Sequence, residues 1–347
     1  MKRYLMFALA CSAMAQIPEI PYASAPNFLK LPPDLYLGEV SGVAVNSKKH
    51  IFVFSRGNTT GPAYGATASQ LLEFGPDGKF LREIGKNLYA WSYAHAVRID
   101  AEDNIWAVDK GSDMIVRFNP EGRVTMLFGR KKEASDDAKP WTHVNPPLPA
   151  GDGQFRQPTD VAWDPQGNIF ISDGYINARV AKYDKNGDWV KQWGEHGSKP
   201  GEFSTPHSIA ADAKGNIYVA DRGNRRIQVF NPDGGFLREI TIDVPIPPDA
   251  HPWMGNQPTA EAAAKQSGAP WAICITPGPT QYLYSSDAFP GRIYKLSLDG
   301  QVLGVLGRSG RQSKQFGWIH EMACPSENEI YVAELLNWRV QKLILHP

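Results

Sequence analysis

Apolar residues along this chain alternate with polar ones in runs of four to six, and each run stops at a turn rich in Gly, Asp or Asn. Period-2 runs broken by Gly turns are antiparallel strands joined by tight hairpins. Four such runs make one unit, and the unit repeats. Residues 205 to 240 hold Pro206-His207-Ser208-Ile209, then Ile217-Tyr218-Val219-Ala220-Asp221, then Ile227-Gln228-Val229-Phe230, an N-P-D-G turn and Phe236-Leu237-Arg238-Glu239-Ile240. Residues 157 to 194 follow the same grammar, with Gln157-Pro158-Thr159-Asp160, the G-N-I-F-I-S-D-G stretch and Trp189 to Gly194. Further copies run near 40–85, 92–129, 269–307 and 318–347, which makes six. A four-stranded meander repeated in this way is the blade of a propeller, so the pattern predicts an all-β, six-bladed ring over residues 16–347.

The last copy ends after its third strand, and the strand-like run Leu35 to Val40 precedes the first. That run is expected to supply the missing strand and close the ring, which removes open sheet edges. Three segments interrupt the repeat, Thr59–Ser69, Arg130–Gly153 and Val244–Ala269, and read as rim loops beside a site. Within the last, Ala260 to Gln266 has the composition for two helical turns.

Composition narrows the partners. The chain has 347 residues, with 36 Lys+Arg against 36 Asp+Glu, and no stretch gathers the basic ones. Nucleic acid is therefore a poor partner. Ten Trp, 13 Tyr and 15 Phe suffice for a large core. Met1-Lys2-Arg3, the apolar run Tyr4 to Cys11 and Ala13-Met14-Ala15 read as a secretory signal over residues 1–15, with a lipidated Cys11 as the rival processing site. A secreted or periplasmic, monomeric ring without a membrane span is expected. Cys274 and Cys324, on the inner strands of blades five and six, read as buried free thiols.

Chemistry collects when the copies are aligned. The position opening each innermost strand reads Ser41, His95, Thr159, His207, Trp271, His320. Alternate blades of a six-fold ring put three imidazoles about 120° apart at one height, the ligand set of a catalytic zinc. His50, His143, His196, His251 and His346 fall outside this column and are expected to play no part. A second column, Ser55, Asp109, Asp173, Asp221, Asp287, Glu334, suits turn-capping carboxylates. The next reads Arg56, Lys110, Gly174, Arg222, Ala288, Leu335, and its two arginines face each other across the ring, which suits an anionic substrate. Tyr175 lies one place further in blade three, where nearby positive charge would favour its phenolate as a general base.

These residues resemble a known family. Gly153-Gln154-Phe155, Gln157 to Ala162, Ser172-Asp173-Gly174-Tyr175, Gln192 to Glu195, Pro206-His207-Ser208 and Ala220-Asp221-Arg222 are similar to the peptidyl-α-hydroxyglycine α-amidating lyases, propellers of NHL repeats. Leu37 to Ala44, Arg56-Gly57 and Gly85 to Leu88 match as well, whereas blade five matches weakly. The resemblance implies zinc on His95, His207 and His320, and cleavage of the C–N bond of an α-hydroxyglycine to give an amide and glyoxylate. It implies Tyr175 as the base, Arg56 as the partner of the tyrosinate and Arg222 as the holder of the substrate carboxylate, with exchange of the two arginine roles left open. It further implies a structural calcium at Val43, Val97 and Glu321, where the family carries Asp in place of Glu321.

Two departures stand out. The family's animal disulfides would fall at Arg156 with Ile176 and Tyr218 with Val229, and none of these is Cys. Residues 1–36 are too few for the monooxygenase that makes the hydroxyglycine in animals, so the source of the substrate stays open. The rival readings are a non-catalytic propeller binding a protein or peptide on its rim, which needs no histidine trio, and a lactonase-like hydrolase, which would need oxygen-rich metal ligands.

Overall fold

The computed structural model describes residues 17–57, 67–132, 148–251 and 266–346. Six four-stranded antiparallel sheets form a ring. Their innermost strands are Glu39–Val45, Ala94–Ile99, Asp160–Trp163, Pro206–Ala211, Ala272–Ile275 and Ile319–Ser326, for blades one to six. Within each sheet the strands follow chain order from the axis outward, except in blade six.

Local sequence explains the meander. In blade three, Asp164 Oδ1 accepts the N–H groups of Gln166 and Asn168, and Gly167 takes φ 84°, a left-handed value that glycine meets without strain. Asp212 repeats this arrangement in blade four with Lys214 and Asn216. The strands between such turns have both faces covered, because aromatic side chains fill the wedge between neighbouring blades. Trp106 of blade two meets Trp163 of blade three with ring centres 5.3 Å apart, and Phe128 meets Tyr183 at 4.6 Å.

The acidic column behaves as turn chemistry. Asp109 accepts the N–H groups of Ser92, Tyr93, Gly111 and Ser112, and Asp287 those of Gly268, Gly291 and Arg292. Glu334 does the same for Gly317 and holds Arg339.

Two expectations are corrected. An N-terminal strand closes the ring, but it is Tyr22–Ser24, not Leu35 to Val40. Tyr22 pairs with Leu345, Ala23 with Ile344 and Ser24 with Leu343, and His346 N–H adds a bond to Pro21 O at 2.8 Å. A three-residue strand is too short to show alternation. Leu35 and Leu37 are apolar for another reason: they pack between blades six and one with Tyr331, Ala333 and Val340. Second, Cys274 and Cys324 form a disulfide joining the inner strands of blades five and six, with Cα atoms 6.1 Å apart. Neighbouring blades place these positions side by side although 50 residues separate them in the chain.

The signal at 1–15 and most of the three interrupting loops, including Ala260 to Lys265, lie outside the described residues, as does His143. Among the described residues no helix is long and apolar enough to cross a membrane.

Candidate active site at one mouth of the ring

His95, His207 and His320 meet at the axis, all buried. Their ring centres are 4.6, 4.8 and 4.9 Å apart, an almost equilateral triangle, and one nitrogen from each lies within 4.8 Å of the other two. Each Nδ1 is held by the main-chain oxygen of its counterpart one blade on: His95 by Thr159 at 2.6 Å, His207 by Trp271 at 2.7 Å, His320 by Ser41 at 2.7 Å. A carbonyl only accepts, so Nδ1 carries the proton and Nε2 presents its lone pair inward.

Burial first, then neighbouring rings and cations, hold all three imidazoles well below the usual histidine range, so they stay neutral at pH 7. His207 Nε2 is buried without a hydrogen-bond partner among the described residues. Three neutral, pre-oriented nitrogens with an orphaned lone pair suit a zinc-like ion, and His95, His207 and His320 are the residues that would hold it.

Around this triangle stand a phenol and three cations. Tyr175 Oη lies 3.4 Å from His95 Nε2. Burial pushes its pKa up, yet Lys110, Arg222 and Arg56 together outweigh burial and leave it below the ordinary tyrosine value. Tyr93, stacked 4.0 Å from the Arg56 guanidinium, goes the other way: burial wins and its pKa is raised. Of these two phenols, therefore, only Tyr175 is poised to give up its proton.

The arginines differ in what remains free. Arg56 is committed, donating to Ala94 O and to Glu39 Oε2, each at 2.8 Å. The Arg222 guanidinium lies 5.5 Å from the centre of the Tyr175 ring and 4.2 Å over Trp271, while its buried Nε has no hydrogen-bond partner among the described residues. Arg222 is thus the better placed to receive a carboxylate.

Sequence reasoning had not assigned a role to Lys110, whose Nζ lies 3.5 Å from the centre of the Tyr175 ring and whose own pKa burial lowers. The signal for it is present in the sequence, since Lys110 shares a column with Arg56 and Arg222. Trp271 and Trp318, with ring centres 5.2 Å apart, add an aromatic wall beside His207 and His320.

Val43, Val97 and Glu321 also come together, deeper along the axis. Glu321 Oε2 accepts the N–H groups of Val43 at 3.2 Å and Val97 at 3.0 Å.

Comparison with known proteins agrees with this picture. The NHL repeat model matches residues 203–230. The chain is 28% identical over 332 residues to peptidyl-glycine alpha-amidating monooxygenase A of Xenopus laevis, covering 87% of this chain and 31% of that protein. It is 26% identical over 340 residues to peptidyl-alpha-hydroxyglycine alpha-amidating lyase 1 of Drosophila melanogaster, covering 89% of this chain and 57% of that one. The chain is similar to peptidyl-α-hydroxyglycine α-amidating lyases over most of its length. It spans about a third of the length of the frog relative and a little over half of the fly lyase. Among solved structures a streptogramin B lyase superposes with a TM-score of 0.56 at 13% identity, over 94% of this chain and 98% of that one, which shows the propeller fold and no more.

Proposed function

We propose that the protein is a zinc-dependent carbon–nitrogen lyase that cleaves an N-acyl- or peptidyl-α-hydroxyglycine to an amide and glyoxylate. The observation that carries this reading is the convergence of three neutral histidine nitrogens beside the Tyr175 hydroxyl, inside a crown of cations. The metal, when bound, would supply Lewis acidity toward the substrate hydroxyl.

Arg222, with its uncommitted Nε, binds the carboxylate and fixes the orientation of the α-carbon. Tyr175, its proton loosened by Lys110, Arg222 and Arg56, acts as tyrosinate and takes the hydroxyl proton. The C–N bond then breaks with its electron pair passing to nitrogen, the C–O bond becomes the aldehyde of glyoxylate, and the proton on Tyr175 returns to the departing amide. Atoms and charge balance without an oxidant. Trp271 and Trp318 offer an apolar wall for the acyl group.

The test is metal content together with glyoxylate release from an α-hydroxyhippurate. A stoichiometric zinc and release of benzamide with glyoxylate are expected. Folded protein that retains no zinc after loading and dialysis, and releases nothing, would overturn the reading.

A further inference from the structure

Three residues beyond the histidine column the inner strands read Ala44, Arg98, Ala162, Ala210, Cys274 and Ala323. Five small side chains leave room at the axis for one long one. Arg98 fills it. Its Nε and Nη2 donate to Asp160 Oδ1 at 2.9 Å and Oδ2 at 2.6 Å, a two-point grip on the carboxylate of blade three. Nη2 also reaches Ser208 Oγ of blade four at 3.2 Å and Ile273 O of blade five at 3.4 Å, and Nη1 donates to Met322 O of blade six at 3.0 Å.

Nε lies 2.9 Å from Glu321 Oε1 as well, an ion-pair contact without hydrogen-bond geometry, since its proton goes to Asp160. Through Glu321 Oε2 the network continues to Val43 of blade one and Val97 of blade two. One guanidinium therefore ties the inner strands of all six blades together. Gly42 belongs to the same arrangement: a Cβ there would come within 2.5 Å of Glu321 Oε2 and 2.8 Å of Val97 N, so only glycine lets that carboxylate in. The opposite mouth of the channel, a cavity of about 290 Å³, has Arg98 in its lining.

We propose that Arg98 stands in for a structural metal at the axis: the ring carries its own tethered cation there and needs no calcium. Asp160 and Glu321, from blades facing each other across the ring, are the pair of carboxylates a divalent ion would use, and the guanidinium already occupies the space between them. A guanidinium cannot lose its charge in the accessible pH range, and its planar fork suits bidentate carboxylate binding. Unlike a bound ion it does not dissociate.

The experiment is thermal unfolding of the full chain, freed of calcium by a chelating resin and kept saturated with zinc, with and without millimolar calcium. The wild-type midpoint should move by less than about 1 °C, because a ligand without a site on the native state adds no stability. Arg98→Ser should melt about 4–7 °C lower, as expected when a buried ion-pair network loses one partner, and unlike the wild type it should rise when calcium is added. A wild-type midpoint that climbs several degrees with calcium overturns the proposal, as does an Arg98→Ser variant that melts like the wild type and ignores calcium. If Arg98→Ser does not fold, the wild-type calcium response decides alone. Neither readout uses lyase activity, so the result is independent of the zinc reading.

Discussion

Lys110 Nζ sits 3.5 Å from the centre of the Tyr175 ring, and among the groups that lower the Tyr175 pKa it is the largest. Replacing it with Met keeps the length of the stem and removes the charge. The Tyr175 pKa should then rise, since one of three nearby cations is gone. For a base that works as tyrosinate, activity below its pKa falls about tenfold per unit of rise and returns at higher pH. The pH profile of kcat/KM, read beside the ultraviolet titration of tyrosinate, checks this; a profile that drops without shifting would make Lys110 a substrate contact instead.

Arg222 should matter through binding of the carboxylate. Arg222→Ala is expected to lower kcat/KM by about 10–100-fold, the range for losing hydrogen bonds to a charged group. Arg222→Lys should restore little, because a point charge cannot reproduce a two-point fork. Inhibition by glyoxylate gives a second reading: it should weaken in both variants. Unchanged inhibition would move the carboxylate site elsewhere, with Arg56 the next residue to test.

The Cys274–Cys324 disulfide closes a loop of 50 residues across two blades. Replacing both cysteines with Ala should lower stability by about 2–4 kcal/mol, chiefly by freeing the unfolded chain. Denaturant unfolding of this variant against the oxidised wild type measures the loss. A reduced wild type should match the variant.

Asp113 provides a pH signature. Burial pushes its pKa up to about 6, although the Gln157 N–H and Lys132 pull the other way. The unfolded chain sheds this proton near pH 4, so between about 4 and 6 the folded state holds more protons and stability falls as pH rises, by on the order of 2–3 kcal/mol. Asp113→Asn keeps an acceptor for Gln157 N–H and cannot ionise. Its stability relative to the wild type should therefore grow as pH rises through that window, and parallel curves would show that the carboxyl is not perturbed.

The repeat, the blade count and the histidine trio were legible because each is periodic: a residue spaced once per blade can be found by counting. What escaped detection lacked that property. Tyr22–Ser24 is one short strand with nothing to align against. The Cys274–Cys324 bond and the Arg98 hub are contacts between blades, and a column alignment compares equivalent positions without showing which of them touch. Arg98 was visible as the one long side chain among small ones, yet its meaning depended on Asp160 and Glu321 converging from opposite sides.

The hydrogen bond from His320 to Ser41 O crosses the seam where the first and last blades meet. The other two histidines take their orientation from blades that follow in the chain, and only this one is steered by a segment made long before it. During synthesis the trio therefore stays incomplete until the ends of the chain have met. A protein truncated within blade six, or unlatched at Tyr22–Ser24, would keep His95 and His207 but lack an aimed third nitrogen, so tight metal uptake would report that the ring has been sealed.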